Sequence, residues 1–235
     1  MDWILGGVEM GRGLKLYNGQ GWEDKHANAR IYDGNGGWHM AKTRLWDGHN
    51  WILVSEERHE KVWNATWTQA YWSSKHGFQA KTRSWDWRKY NYLYQGNYSP
   101  FTDHWDWGDQ GGMMGFDDGN IRWELSGARI EAVYVYLYAY HWAWYAGGTA
   151  RIGTHNASGW QSRFQEANGV VAERNMRRNE GAWIQLPNWV GDNLRDNKLK
   201  GLTTHAHTNN NHYYGYFAGA NAGWQAPKLK IVYWK

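Results

Sequence analysis

Cysteine is absent from the 235 residues. That excludes a disulfide framework and any thiolate metal site. The start, Met1-Asp-Trp-Ile-Leu-Gly-Gly7, lacks the basic residues and long apolar run of a signal peptide. Passage to the outside of a cell is then expected by another route, such as assembly into a particle. Blocks of one charge are also missing. The net charge of +4 comes from Lys and Arg scattered among Asp and Glu. The nearest approach to a basic block, Arg174-Asn-Met-Arg-Arg178, is too short to track a phosphate backbone, so no nucleic-acid partner is expected. No phosphate-binding glycine loop and no nucleophile elbow occurs. His59-Glu60 misses the zinc-protease pattern because Trp63 stands where the second His belongs.

What is there is aromatic. The chain holds 20 Trp, 16 Tyr and 29 Gly against 3 Pro. Trp and Tyr favour strands, stack on flat partners such as sugar rings, and offer polar tips for hydrogen bonds. Hydrophobic residues make up 42% and charged residues 20%, enough for a packed core in one large β domain or two smaller ones.

The clearest element is Arg129-Ile-Glu-Ala-Val-Tyr-Val-Tyr-Leu-Tyr-Ala-Tyr-His-Trp-Ala-Trp144. It alternates with period two, which predicts a strand. Val133, Val135, Leu137 and Ala139 should face the core. Tyr134, Tyr136, Tyr138, Tyr140, Trp142 and Trp144 should share the other face. Glu131 and His141 inside the run argue against a membrane helix, so no membrane insertion is expected. Gly147-Gly148 suits a tight turn, with Thr149 to His155 returning as the second strand of a long hairpin.

Upstream the chain repeats. Lys15-Leu-Tyr-Asn-Gly19 precedes Trp22, Arg30-Ile-Tyr-Asp-Gly34 precedes Trp38, and Arg44-Leu-Trp-Asp-Gly48 precedes Trp51. Lys61-Val-Trp-Asn64 precedes Trp67, with Ala65 in place of the glycine, and Arg83-Ser-Trp-Asp86 reads as a degenerate copy. Asn-Gly and Asp-Gly between apolar residues signal hairpins. Units this small have no core of their own and must stack on neighbours. Ser55-Glu-Glu-Arg-His-Glu-Lys61 lacks an apolar stripe and reads as a link.

Residues 92–128 read as loop-rich. Ala182 to Pro187, Leu199 to His205, Tyr213 to Phe217 and Lys228 to Lys235 read as strands. Many short strands with almost no helix predict an all-β protein, in which residues 1–91 form aromatic β-hairpin repeats and residues 92–235 an antiparallel jelly-roll-like β-sandwich.

Residues 94–235 resemble the C-terminal domain of minor tail proteins of tailed bacteriophages, especially those infecting actinobacteria. The matching segments include Tyr94-Gln-Gly96, Gly115-Phe-Asp-Asp118, Leu125-Ser-Gly-Ala-Arg-Ile130, Val133-Tyr-Val-Tyr-Leu-Tyr138, His141-Trp142, Gly147-Gly-Thr-Ala150, Ile152-Gly-Thr-His-Asn156 and Pro227-Lys-Leu-Lys-Ile-Val-Tyr233. The upstream hairpin repeats are also common in phage tail proteins. The resemblance implies a virion structural component at the tail tip or fibre, made in the host cytoplasm, that joins other phage tail proteins and touches the host surface. It carries no catalytic motif across, so an enzyme is not expected. The high Trp content departs from the family pattern.

Two sets of residues are candidates for chemistry. His141, Trp142, Trp144, Tyr145 and Asn156 flank the Gly-Gly turn, where exposed indoles could stack on a host cell-surface glycan and His141 or Asn156 could bond its hydroxyls. The bland reading makes both indoles core, packed under the loop from Tyr98 to Trp107. His205 and His207, on one face of a strand, suit a divalent metal at the axis of a trimer, or else belong to a polar surface loop. No other cofactor is expected. The repeats, which bury little alone, favour a homo-oligomer, with a trimer expected. A polysaccharide hydrolase of the tailspike type would need two carboxylates flanking a cleft. Asp103, Asp106, Asp109, Asp117, Asp118 and Glu131 are available without distinctive spacing. A free carbohydrate-binding lectin is the other alternative.

Overall fold

The computed structural model describes residues 57–82, 91–97 and 108–235 in full, with residue 20 and the segments 14–17, 22–25, 30–32, 38–40, 44–46 and 48–53 before them. The chain falls into two compact units, residues 1–59 with 233–235, and residues 60–232. Sequence reasoning drew the line at 91/92.

The first unit holds three hairpins. They are β1 (Leu14–Tyr17) with β2 (Trp22–Lys25), β3 (Arg30–Tyr32) with β4 (Trp38–Met40), and β5 (Arg44–Trp46) with β6 (Trp51–Leu53). Their registers set Tyr17 opposite Trp22, Tyr32 opposite Trp38 and Trp46 opposite Trp51. The repeat is thus a hairpin with an aromatic pair flanking its turn.

The fourth copy departs from this. β7 (Arg58–Asn64) ends next to Ala65, and β8 (Trp67–Tyr71) pairs with β10 (Asp109–Gly115), not with β7. Ala65 N–H instead donates to Pro227 O at 2.8 Å and Thr66 N–H to Gly115 O at 2.8 Å. This unit has Ala65 where the others have glycine, the residue that most readily closes a tight hairpin. Arg58 to Lys61 of the segment read as a link belong to strand β7. The copy expected at Arg83 to Asp86 lies outside the described residues.

The second unit is all-β and antiparallel, as expected. Its remaining strands are β9 (Leu93–Asn97), β11 (Arg129–Trp142), β12 (Gly148–His155), β13 (Asn168–Met176), β14 (Glu180–Leu186), β15 (Gly201–His205), β16 (Gly215–Phe217) and β17 (Lys228–Trp234). They follow the order β13-β12-β15-β10-β9-β16-β11-β17-β7, with β14 also on β11 and β8 also on β10. β10 was read as loop. All seven of its residues are buried, so it shows no alternation, and its glycines let neighbours close in. A Cβ on Gly115 would lie 2.1 Å from the Trp67 ring, and one on Gly111 2.8 Å from Phe164.

β11 carries the core. Val133, Val135, Leu137 and Ala139 are fully buried. Each of the three larger side chains is worth about 1.5–3 kcal/mol on burial. β14 lies along Val133 to Ala139 and sets Tyr136 against Trp183, their rings 5.4 Å apart on the outer face. Two short helices cover part of the fold, α1 (Asp118–Leu125) and α2 (Asn188–Arg195). Asp117 caps α1 by accepting from Asn120 N–H at 3.0 Å. α2 packs on β11, with Val190 and Leu194 buried.

Two expectations about β11 need correction. The register shifts between Ala139 and His141, where β11 passes from β14 to β16. One extra residue in a strand reverses every side chain beyond it. Tyr140 and His141 therefore both face outward, and Trp142 turns into the core at 0% exposure. Nor is there a long hairpin. β11 pairs with β14, β16 and β17, whereas β12 pairs with β13 and β15. The Gly-Gly segment carries the chain from one part of the sheet to another. Gly147 has φ +118°, and a Cβ there would lie 2.3 Å from Met176 O. On Gly148 it would lie 2.4 Å from the Trp142 ring.

Candidate functional site

Beyond Trp142 the chain leaves the strand and turns through Trp144 to Gly147, where Gly147 N–H donates to Trp144 O at 3.1 Å. Trp144 is 54% exposed and Tyr145 87%. The turn is fixed from below, because the Arg178 guanidinium donates to Trp142 O at 2.6 Å and sits 5.6 Å from the Tyr145 ring centre. Beside it opens a depression of about 1010 Å³, lined by Trp144, Asn175, Arg177, Arg178, Glu180 and His212 among others. Thr149 Oγ1 braces two of these, standing 2.6 Å from Asn175 Oδ1 and 2.9 Å from His212 Nε2. The tip thus joins two exposed rings to amide, guanidinium, carboxylate and imidazole groups, the mixture that recognises a polyhydroxylated ligand.

Of the five residues expected here, the structure brings Trp144 and Tyr145 together. Trp142 is core, its ring packed on Phe217 and against Gly148 and Gly215. His141 faces outward but stacks on Tyr216, ring centres 5.2 Å apart and 17° from parallel. Burial, followed by the Arg178 charge, pulls its imidazole down to about 4, so it is neutral at physiological pH. Asn156 follows the far end of β12, roughly 25 Å along the strand from Gly148 at ~3.3 Å per residue, and is no part of the tip. Arg177, Arg178 and His212 come from distant segments, and no spacing in the sequence links them to Trp144. The loop from Tyr98 to Trp107 lies outside the described residues.

The histidine pair assembles differently from expectation. β15 ends at His205, and His207 has φ +55°, so a turn sets the two rings 4.0 Å apart, not strand alternation. His205 is 9% exposed, enclosed by the edges of Phe78 and Phe164 at 5.3 and 5.0 Å. Its Nε2 is 3.0 Å from Asp109 Oδ2 and its Nδ1 3.4 Å from Glu166 Oε2. His207 Nε2 is 2.8 Å from the same Glu166 oxygen. Asp109 is held by the N–H groups of Gly96 and Thr208, each at 3.0 Å. Burial pulls the His205 imidazole down, but its hydrogen bonds to Asp109 and Glu166 and their charges raise it to about 9. Burial raises the Glu166 carboxyl, while hydrogen bonds from His205 and Thr203 and the two imidazoles outweigh it and leave it below its ordinary value. Glu166 sits in a connecting loop far from the histidines in sequence, so no motif announced it.

Two of the other expected carboxylates have structural occupations. Asp117 caps α1, and Asp118 accepts from Lys200 Nζ at 2.6 Å. Asp103 and Asp106 lie outside the described residues.

No protein-family model and no curated protein matches the chain. Among solved structures, a match is found to the cleaved adhesin domain of Lys-gingipain from Porphyromonas gingivalis, with TM-score 0.30 and 10% identity over 76% of this chain and 97% of that one. A likeness at that level transfers no function.

Proposed function

We propose that the protein is a tail component of a bacteriophage whose β11–β12 tip binds a glycan of the host surface. The observation that carries the binding is the pair Trp144 and Tyr145, 54% and 87% exposed beside a polar-lined depression, on a turn anchored by a buried indole. What sets this pair apart from exposed single rings such as Trp123 and Trp224 is that two neighbouring residues stand together beside a depression with polar lining. The tail assignment rests on the resemblance of residues 94–235 to minor tail proteins and on the hairpin repeats before them.

The test uses the purified protein and a panel of immobilised bacterial cell-wall polysaccharides. The parent should be retained by at least one of them. Trp144→Ala and Tyr145→Ala should each weaken retention about tenfold, the effect of losing an aromatic anchor, with thermal midpoints close to the parent's because both rings are exposed. Retention by none, or variants that bind like the parent, would overturn the binding reading. Released oligosaccharide would show a hydrolase instead. Absence of the chain from purified virions would leave a free lectin.

The tail reading also makes the protein a trimer. Each hairpin of the first unit forms a separate two-stranded sheet, and such sheets are marginal in isolation. Light scattering at micromolar concentration should give three times the mass of one chain, and a stable monomer would count against it.

A further inference from the structure

We propose that Glu166, His205 and His207 hold one divalent transition-metal ion within a single chain, with zinc as the ion the donors suit. One ligand atom from each of the three lies within 4.8 Å of the others. Zinc takes imidazole nitrogens at about 2.0–2.1 Å and carboxylate oxygens at about 2.0–2.2 Å, so two donors on one tetrahedral ion stand about 3.3 Å apart. The separations of Glu166 Oε2 from His205 Nδ1 and His207 Nε2, 3.4 and 2.8 Å, straddle that value.

The surrounding hydrogen bonds orient these atoms for a metal. Asp109 Oδ2 accepts from His205 Nε2 at 3.0 Å and turns Nδ1 toward Glu166 Oε2, where a metal would take the place of the proton the two share. A carboxylate behind a histidine is the usual outer support of a metal-bound imidazole. Asp109 is itself fixed by two backbone N–H groups. The Thr203 hydroxyl donates to Glu166 Oε1 at 2.6 Å and leaves Oε2 turned to the histidines. Phe78 and Phe164 set the tilt of the His205 ring. The His207 side chain is 40% exposed, so one side of the cluster is open to water as a further ligand. Two imidazoles and a carboxylate suit zinc and its neighbours better than magnesium, which prefers oxygen donors.

A metal shared at a trimer axis would need His205 near the surface, whereas three side chains of its own chain complete the donor set. The competing state is a metal-free network in which the carboxylates hold the histidines by hydrogen bonds alone.

The experiment strips the full chain with EDTA and titrates it with zinc chloride by calorimetry, with magnesium chloride in parallel. The expected result is saturable uptake of one zinc per chain, a raised thermal midpoint, and little response to magnesium. His207→Ala and Glu166→Gln should each weaken zinc binding more than tenfold, and Asp109→Asn by about 10–100-fold through the supporting bond. His207 is exposed, so its variant should fold even where the Glu166 variant does not. No saturable uptake by the parent, or zinc uptake unchanged in His207→Ala, overturns the site. Neither outcome bears on glycan retention at the tip.

Discussion

Trp142→Ala is expected to cost about 3–5 kcal/mol of folding stability, the range for removing a buried Trp. The side chain is fully buried. Its ring meets Phe217 edge-on at 5.4 Å. It fills space that two glycines leave, since a Cβ on Gly148 or Gly215 would lie 2.4 or 2.5 Å from it. These backbones cannot easily collapse into the void, so the loss should fall high in the range. The indole Nε1 has no hydrogen-bond partner among the described residues, so Trp142→Phe removes a polar atom that gains nothing from burial and should cost less than the alanine change. Urea denaturation of both variants checks this. An alanine variant as stable as the parent would show that the bulge does not place Trp142 in the core.

Acidification from about pH 7.5 to about pH 4.5 should destabilise the protein through His155. Its Nε2 bonds Met114 O at 2.9 Å, and its ring lies 5.5 Å from that of Trp67. Burial outweighs its backbone hydrogen bonds and holds the imidazole at about 4, against 6.5 for a free histidine. Between those values the unfolded chain takes up a proton that the folded protein refuses. The contribution is therefore fully present above about pH 6.5 and is lost as the pH falls toward 4. The gap corresponds to about 3 kcal/mol at most. His141, also held near 4, adds to the same loss. His155→Gln can keep a bond to Met114 O but does not titrate, so its stability should fall less steeply with acid. His205, held near 9, gains stability between pH 7.5 and 6.5 and partly offsets this in both proteins, so a variant whose stability falls as steeply with acid as the parent's would refute the assignment.

Much of the fold was legible because it is local or periodic. Period-two alternation marked β11 and its core face, and Asn-Gly and Asp-Gly marked the hairpins of the first unit. β10 escaped because a strand buried throughout shows no alternation, and its glycines look like loop until Trp67 and Phe164 are seen to fill their space. The bulge at 139–141 escaped because alternation in the sequence continues through it, so that Trp142 was paired with the wrong face. At the candidate sites, the turn residues Trp144 and Tyr145 and the pair His205 and His207 were legible as local clusters. Arg178, Asp109 and Glu166 were not legible as their partners, since only tertiary pairing brings them there.

The strand order also sets a timetable. In the first unit the facing residues are near neighbours in the chain, as with Tyr17 and Trp22. Such hairpins close in about 1–10 μs. In the second unit Tyr94 stands against Tyr216 and Gly111 against His205, so most of the intervening chain must be gathered before either pair is made. Sheets built on such distant partners fold in milliseconds to seconds. For that interval β10, whose glycines give it little to hold its shape, waits with open edges between hairpins already formed and strands not yet arrived. An unpaired strand in that state can pair with another copy of the chain.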